Sequence, residues 1–254
     1  MHPLGQTRTS VQNNHAFIAP DGHVPASLPG WTNTQGIVLI SPVMLSGPRF
    51  AQYIALMEAG AVAGSPLPGV QRFVYVLEGN LKTDTAGGQI TLDPGQFIYL
   101  PADTPNTLQA DATSRVLIFE KVYTASPLSD AKPQIHHGDA WAGEGEPFLG
   151  DENARLRTLL PTTIPYDMAI NLFTFQTGTA LPFVETHIME HGLYLLEGQG
   201  IYRLDERWYP IQAGDTIWMG SYCPQWFCAI GKTQSTYIYY KDVNRDPLLG
   251  SNNS

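Results

Sequence analysis

The chain has 254 residues, with 14 Lys+Arg against 23 Asp+Glu and a formal charge of −9. That shortage of cations excludes a nucleic-acid binder, which must neutralise phosphates, and docking on an anionic membrane surface. Hydrophobic residues at 43% against 15% charged can fill a core, while 24 Gly and 20 Pro interrupt the chain too often for long helices.

The first residues, Met1-His2-Pro3-Leu4-Gly5-Gln6, lack a basic stretch followed by an apolar one, so no signal peptide is expected. The longest apolar run, Ile37 to Leu45, is broken by Ser41 and Pro42 and falls short of the ~20 residues that span a bilayer. Within it Ile37-Val38-Leu39-Ile40 reads as a strand. Phe73-Val74-Tyr75-Val76-Leu77 is another, closed by the turn signal Glu78-Gly79. Gln96–Leu100 follows Pro94-Gly95. The stretch from Ala125 to Asp151 is rich in Pro, Gly, Ser and Asp and reads as a linker or surface arm, with His136-His137 as a surface pair. Asn153 to Leu159 reads as a helical turn or an entering strand. Leu193–Leu196, Thr216–Met219 and Tyr237–Tyr240 complete a series of short strands, which argues for antiparallel sandwiches or barrels. Cys223 and Cys228 cannot build a disulfide framework; they read as two reduced thiols, with the cytoplasm as the expected compartment.

The most informative feature is an internal repeat. Leu77-Glu78-Gly79-Asn80 recurs as Leu196-Glu197-Gly198-Gln199, 119 residues on. Tyr75 falls on Tyr194, Gly95 on Gly214, Pro105 on Pro224 and Asn106 on Gln225 at the same offset. The expected organisation is a first unit over 1–124, a linker or arm over 125–151, and a second unit over 152–254.

Glu185-Thr186-His187-Ile188-Met189-Glu190-His191 is the only dense cluster of metal-type ligands. In a strand Glu185 and His187 project to one side, and His191 returns from the adjacent strand. Carboxylate and imidazole without thiolate suit Mn²⁺, Fe²⁺, Ni²⁺ or Zn²⁺. Spacing alone leaves two readings open, a ligand set or an ordinary solvated strand face.

The pattern Glu185-x-His187-x₃-His191-x₆-Gly198, followed by Gly214-x₅-Gly220-x₃-Pro224-Gln225, resembles the cupin motifs. Glu185 stands where cupins carry their first His, His191 where they carry Glu, and Gln225 where they carry the last His. The resemblance implies an all-β bicupin: two double-stranded β-helix (jelly-roll) barrels in tandem. In the first copy the corresponding positions are Pro66, Pro68, Arg72 and Asn106, so that barrel is expected to hold no metal. Glu197-Gly198-Gln199-Gly200-Ile201-Tyr202, Trp208, Pro210 and the tail Tyr237 to Asp246 are similar to the (S)-ureidoglycine aminohydrolase family. So is Ala19-Pro20-Asp21-Gly22.

This resemblance implies a homo-oligomeric hydrolase acting on a non-peptide C–N bond. It implies one Mn²⁺ per chain on Glu185, His187, His191 and Gln225, and a small ureido amino acid as substrate. The implied reaction converts (S)-ureidoglycine to (S)-ureidoglycolate and ammonia in allantoin and purine catabolism. It places Tyr202, Tyr237, Lys241 and Gln225 at the substrate, with Glu185, Lys241 and Tyr237 catalytic. Read without it, Tyr202 and Tyr237 are packing residues and Lys241 is a solvated strand-end cation. Two further functions compete: another metal-dependent cupin enzyme, a dioxygenase or isomerase, and a non-catalytic bicupin binding protein. The first predicts a His-rich ligand set and the second predicts ligands lost from both copies.

Overall fold

The computed structural model describes residues 6–44 and 47–246. Met1 to Gly5 at the start, and Leu45 of the interrupted apolar run, lie outside the described residues. Those described are β-strands and loops, with one 3-10 turn at Pro20–Gly22. No helix among them is long and apolar enough to cross a membrane. Asn153 to Leu159 resolves as a strand, Asp151–Thr158.

Two compact units are present, one of residues 24–42 and 49–142, the other of residues 6–23, 43–44, 47–48 and 143–246. In the second, an eight-stranded antiparallel sheet runs Ser10–Val11, His15–Ile18, Thr216–Met219, His191–Glu197, Ser235–Asp242, Met168–Phe175, Asp151–Thr158, Glu146–Phe148. A three-stranded sheet of Arg207–Gln212, Gln199–Leu204 and Gln225–Ile230 packs on the same core. The alternation along Ser235–Asp242 shows the inner face: Tyr237 and Tyr239 enter the core with Phe173, Phe175, Leu193, Leu195 and Phe227. The first unit repeats this order in its ten-stranded sheet, around a smaller aliphatic core of Val74, Val76, Ile98, Leu108, Val116 and Ile118.

The boundaries differ from the expected 1–124, 125–151 and 152–254. His15–Ile18 pairs with Thr216–Met219, so the first residues complete the C-terminal unit's sheet. Arg8 anchors that edge with a bidentate pair to the buried Asp215, at 2.7 and 2.9 Å. In the reverse direction His136–Asp139 pairs with Gln96–Leu100 and extends the N-terminal unit's sheet, so part of the expected arm is a strand. Both sets of backbone groups find partners across a long sequence gap, which local composition does not reveal.

The repeat continues beyond the matched residues, but the offset changes. Gly79 and Gly198 are 119 apart, both at positive φ, and a Cβ on them would strike Ser114 and Ser235 respectively. Those two serines are 121 apart, so two extra residues enter the second copy before its last strand.

Candidate active site in the C-terminal unit

The site is assembled from three segments. Glu185 and Gln225 form an isolated antiparallel bridge, with Glu185 N–H donating to Gln225 O at 2.8 Å and Gln225 N–H to Glu185 O at 2.9 Å. Residues bonded in this way present their side chains on one face. Two residues further, Tyr222 N–H donates to His187 O at 2.7 Å. The ligand-rich segment is therefore laid along 222–225 by single bonds rather than running as the regular strand expected. His191 begins strand His191–Glu197, and its register partner on Ser235–Asp242 is Lys241.

These placements bring His187, His191, Gln225, Tyr202, Tyr237 and Lys241 together. The His187 and His191 rings stack at 4.7 Å between centroids, and His191 lies almost parallel to Tyr239 at 5.3 Å. His187 Nδ1 is 3.0 Å from Met189 O, a contact that requires the proton on Nδ1. Its Nε2 lone pair then accepts from Gln225 Nε2 at 2.9 Å. The Tyr202 hydroxyl donates to Gln225 Oε1 at 3.5 Å, and the Tyr202 and Tyr237 hydroxyls lie near one another. His191 Nε2 is buried without a hydrogen-bond partner. A buried polar atom left in that state costs stability and calls for an explanation.

Burial sets the charges. It lowers the pKa of His191 well below the usual range, with His187 and Lys241 pushing the same way, and it lowers that of His187. Both imidazoles are therefore neutral near pH 7, the form that ligates metals. Burial raises the Glu185 carboxyl, opposed by Lys241, and lowers the Lys241 ammonium, opposed by Glu185 and Asp242. The Tyr202 and Tyr237 hydroxyls are pushed far up, chiefly by burial, so both remain protonated donors. Glu185 lies on the same face as Gln225 through their bridge, and its charge acts on Lys241, Tyr202, Tyr237 and Tyr239.

Among the described residues no three His, Cys, Asp or Glu side chains close round an ion by themselves. The donor set that fits a divalent ion is mixed: two neutral imidazoles, the Gln225 amide and the Glu185 carboxylate. His187 has the arrangement typical of a metal-bound imidazole, with its far N–H donated to a backbone carbonyl.

No family model matches the chain. It is 43% identical over 248 residues to the probable (S)-ureidoglycine aminohydrolase of Oryza sativa subsp. japonica, covering 96% of this chain and 78% of the relative. The (S)-ureidoglycine aminohydrolase of Arabidopsis thaliana is 40% identical over 247 residues, covering 96% and 80%. The chain belongs to the (S)-ureidoglycine aminohydrolase family. It is an enzyme of that family, built on the bicupin fold. The crystal structure of protein Ylba from E. coli superposes with a TM-score of 0.80 at 30% identity, over 94% of this chain and 96% of that one. A cupin 2 conserved barrel domain protein from Leptotrichia buccalis, at 11% identity, shares the fold with a TM-score of 0.61, over 86% and 98%.

In this aminohydrolase the conspicuous tail divides into two roles. Tyr237 and Lys241 face the site, whereas Asn244 Nδ2 donates to Thr163 O and Tyr166 O, and Arg245 to Ile164 O. The tail thus also fastens a loop. Glu190, inside the ligand-rich segment, points elsewhere: its carboxylate accepts from Trp218 Nε1 at 3.3 Å, and its backbone N–H donates to Asp242 Oδ1 at 2.6 Å. Sequence reasoning missed Tyr239 and Asn171, which are buried register partners. The signal available was period two: Tyr239 lies midway between Tyr237 and Lys241 on the same face.

Proposed function

We propose that this enzyme hydrolyses (S)-ureidoglycine to (S)-ureidoglycolate and ammonia, using one Mn²⁺ held by Glu185, His187, His191 and Gln225, in purine catabolism through allantoin. The observation that carries the reading is the buried, unpartnered Nε2 of a neutral His191, stacked against His187, whose own Nε2 lone pair faces Gln225. An oxygen- and nitrogen-donor set without thiolate suits Mn²⁺. The names of the rice and Arabidopsis relatives support the substrate.

In the net reaction a water oxygen bonds to the substrate's α-carbon, the bond from that carbon to its amino nitrogen breaks, and ammonia leaves. The bound ion supplies charge stabilisation and lowers the pKa of a group attached to it. The protein's own part is positioning and proton handling. Lys241 pairs with the substrate carboxylate. Its register partner, His191, is neutral and does not compete for its charge, while Glu185 and Asp242 favour its protonated form. Tyr237 and Tyr202, kept protonated by burial, hold the ureido and amino groups by hydrogen bonds. The Glu185 carboxylate oxygen left free of the ion would accept a proton from the attacking water and pass it to the departing amine. Beneath them Phe173, Phe175 and Phe227 pack against Tyr237 and keep water from the floor.

The first copy supports a single ion per chain. Its Arg72 occupies the position of His191, buried, with Nε 2.7 Å from Glu120 Oε1. A permanent cation thus sits where a cation would otherwise bind.

The test is ammonia release from freshly generated ureidoglycine by protein stripped with a chelator and then reloaded. Activity should vanish on stripping and return with one equivalent of Mn²⁺. Release that survives stripping, or a stripped protein that takes up no Mn²⁺, overturns the reading.

A further inference from the structure

Three aromatic rings form a column in the C-terminal unit. His187 stacks on His191 at 4.7 Å with 21° between planes, and His191 on Tyr239 at 5.3 Å with only 7°. The outer face of His191 is thus covered by a ring that is itself held. Tyr239 is buried beside Asn171, which is 5% exposed and is its register partner on Met168–Phe175, so the amide is placed to hold the phenol ring. Tyr237 packs edge-on against Tyr239 at 5.7 Å and blocks movement along the strand. No hydrogen bond to His191 Nε2 fixes that ring. Its plane is set by stacking.

The other copy supplies an independent comparison. Arg72 and Glu120 are register partners there, as His191 and Lys241 are here, so the counterpart of Tyr239 is Ile118, the residue paired with Val74. The counterpart of Asn171 is Tyr53, which pairs with Ile118. The copy without the imidazole pair thus lacks both the stacking ring and the amide that pins it.

We infer that Tyr239, pinned by Asn171, is a positioning residue that fixes the ring plane of His191 and so aims its Nε2 into the metal site. The inference rests on the reading of His191 as a metal ligand. A ring free to rotate about its side-chain bonds would spread Nε2 over several orientations, and the entropic cost of confining it to one of them would be subtracted from metal affinity.

The experiment uses the full chain, stripped of metal, and reads the Kd for Mn²⁺ from the electron paramagnetic resonance of the free ion. The thermal midpoint of the stripped protein is recorded in parallel. His191→Ala comes first; if it binds Mn²⁺ as wild type does, the ligand reading fails, independently of Tyr239. With that settled, Tyr239→Leu should weaken Mn²⁺ by about 10–100-fold, the usual effect of losing an orienting partner. Tyr239→Phe, which keeps the stack and loses the pin, should weaken it by only a few-fold. Asn171→Ala should match Tyr239→Phe, and the double variant should be no weaker than either, because both remove the same amide–hydroxyl contact. A folded Tyr239→Leu with wild-type Mn²⁺ affinity overturns the inference. Should that variant fail to fold, the other three decide: wild-type affinity in both single variants, or full additivity in the double, overturns it equally.

Discussion

Lys241 and Glu120 hold the same register position in the two units and carry opposite charges. Glu120 is paired with Arg72. Lys241 faces a neutral imidazole, with the Glu185 and Asp242 carboxylates favouring its charged form. A charge-assisted hydrogen bond to a carboxylate contributes roughly 1.5–3 kcal/mol. Lys241→Met should therefore lower kcat/KM for ureidoglycine by about ten- to a hundredfold while Mn²⁺ content stays at the wild-type level. Lys241→Arg should recover only part of the loss, since a planar fork does not replace a point charge in a confined pocket. Steady-state kinetics with metal analysis checks both, and unchanged kinetics in the two variants would remove Lys241 from the site. At this scale the candidate residues were legible from spacing and resemblance, but their relations were not. Nothing in the order of residues tells that Gln225 bridges His187 to Tyr202, or that Glu190 turns away to Trp218, because those contacts depend on a bridge between Glu185 and Gln225 across forty positions of chain.

Strands with aromatic and β-branched residues were readable. Gln96–Leu100 and Thr216–Met219 match the expected runs, and Val70–Glu78, His191–Glu197 and Ser235–Asp242 extend theirs by a few residues. Ala51–Ala63, at 13 residues, gave no signal, since its Ala and Gly content disguises a strand whose partners are supplied by Trp31–Ile40 and Ser114–Val122. His15–Ile18 was hidden for another reason: four residues are too few to show a period. His15 within it is buried, with Nε2 2.9 Å from the Tyr209 hydroxyl, and burial lowers its pKa. In the unfolded chain it titrates near 6.5. The unfolded state therefore binds more protons as pH falls, and the stability associated with neutral His15 is present above about pH 6.5 and lost progressively below it. Urea unfolding at pH 8 and pH 5 should show His15→Gln less stable than wild type at pH 8 and the gap narrowing at pH 5. A gap that widens in acid would contradict this. The Glu-Gly turns make a second element-scale prediction. Gly198 lies at φ 81°, and a Cβ there would come within 2.3 Å of Gln234 O. The left-handed backbone alone costs a side chain roughly 1–3 kcal/mol, so Gly198→Ala should lower the denaturation midpoint by more than that strain accounts for. A midpoint at or near wild type would show that the hairpin relaxes freely.

At the scale of the molecule the two copies trade edges. His15–Ile18, which precedes the first copy, completes the sheet of the C-terminal unit, and His136–Asp139, which precedes the second, extends the sheet of the N-terminal unit. A fragment beginning at Gly143 would leave the Thr216–Met219 edge unpaired and uncover the inner face that Phe17 and Ala19 help close. Such an edge is an aggregation template. The fragment of residues 143–246 should aggregate when expressed alone, whereas the same fragment followed by residues 6–23 through a flexible linker should be recovered folded and bind Mn²⁺. Light scattering and metal titration separate the outcomes, and a well-behaved bare fragment would show that the borrowed strand is dispensable.

That exchange also bears on how such a chain can change over generations. After a duplication, the copy that loses its chemistry is ordinarily free to drift and be deleted. Here the strand His15–Ile18 stands ahead of the N-terminal unit in the chain but belongs to the C-terminal sheet, so a deletion from the start of the chain through residue 142 would strip that sheet of an edge. Arg72 and Glu120 show how far the interior of the first copy differs from that of the second, while the strand set ahead of it constrains where the chain can be shortened.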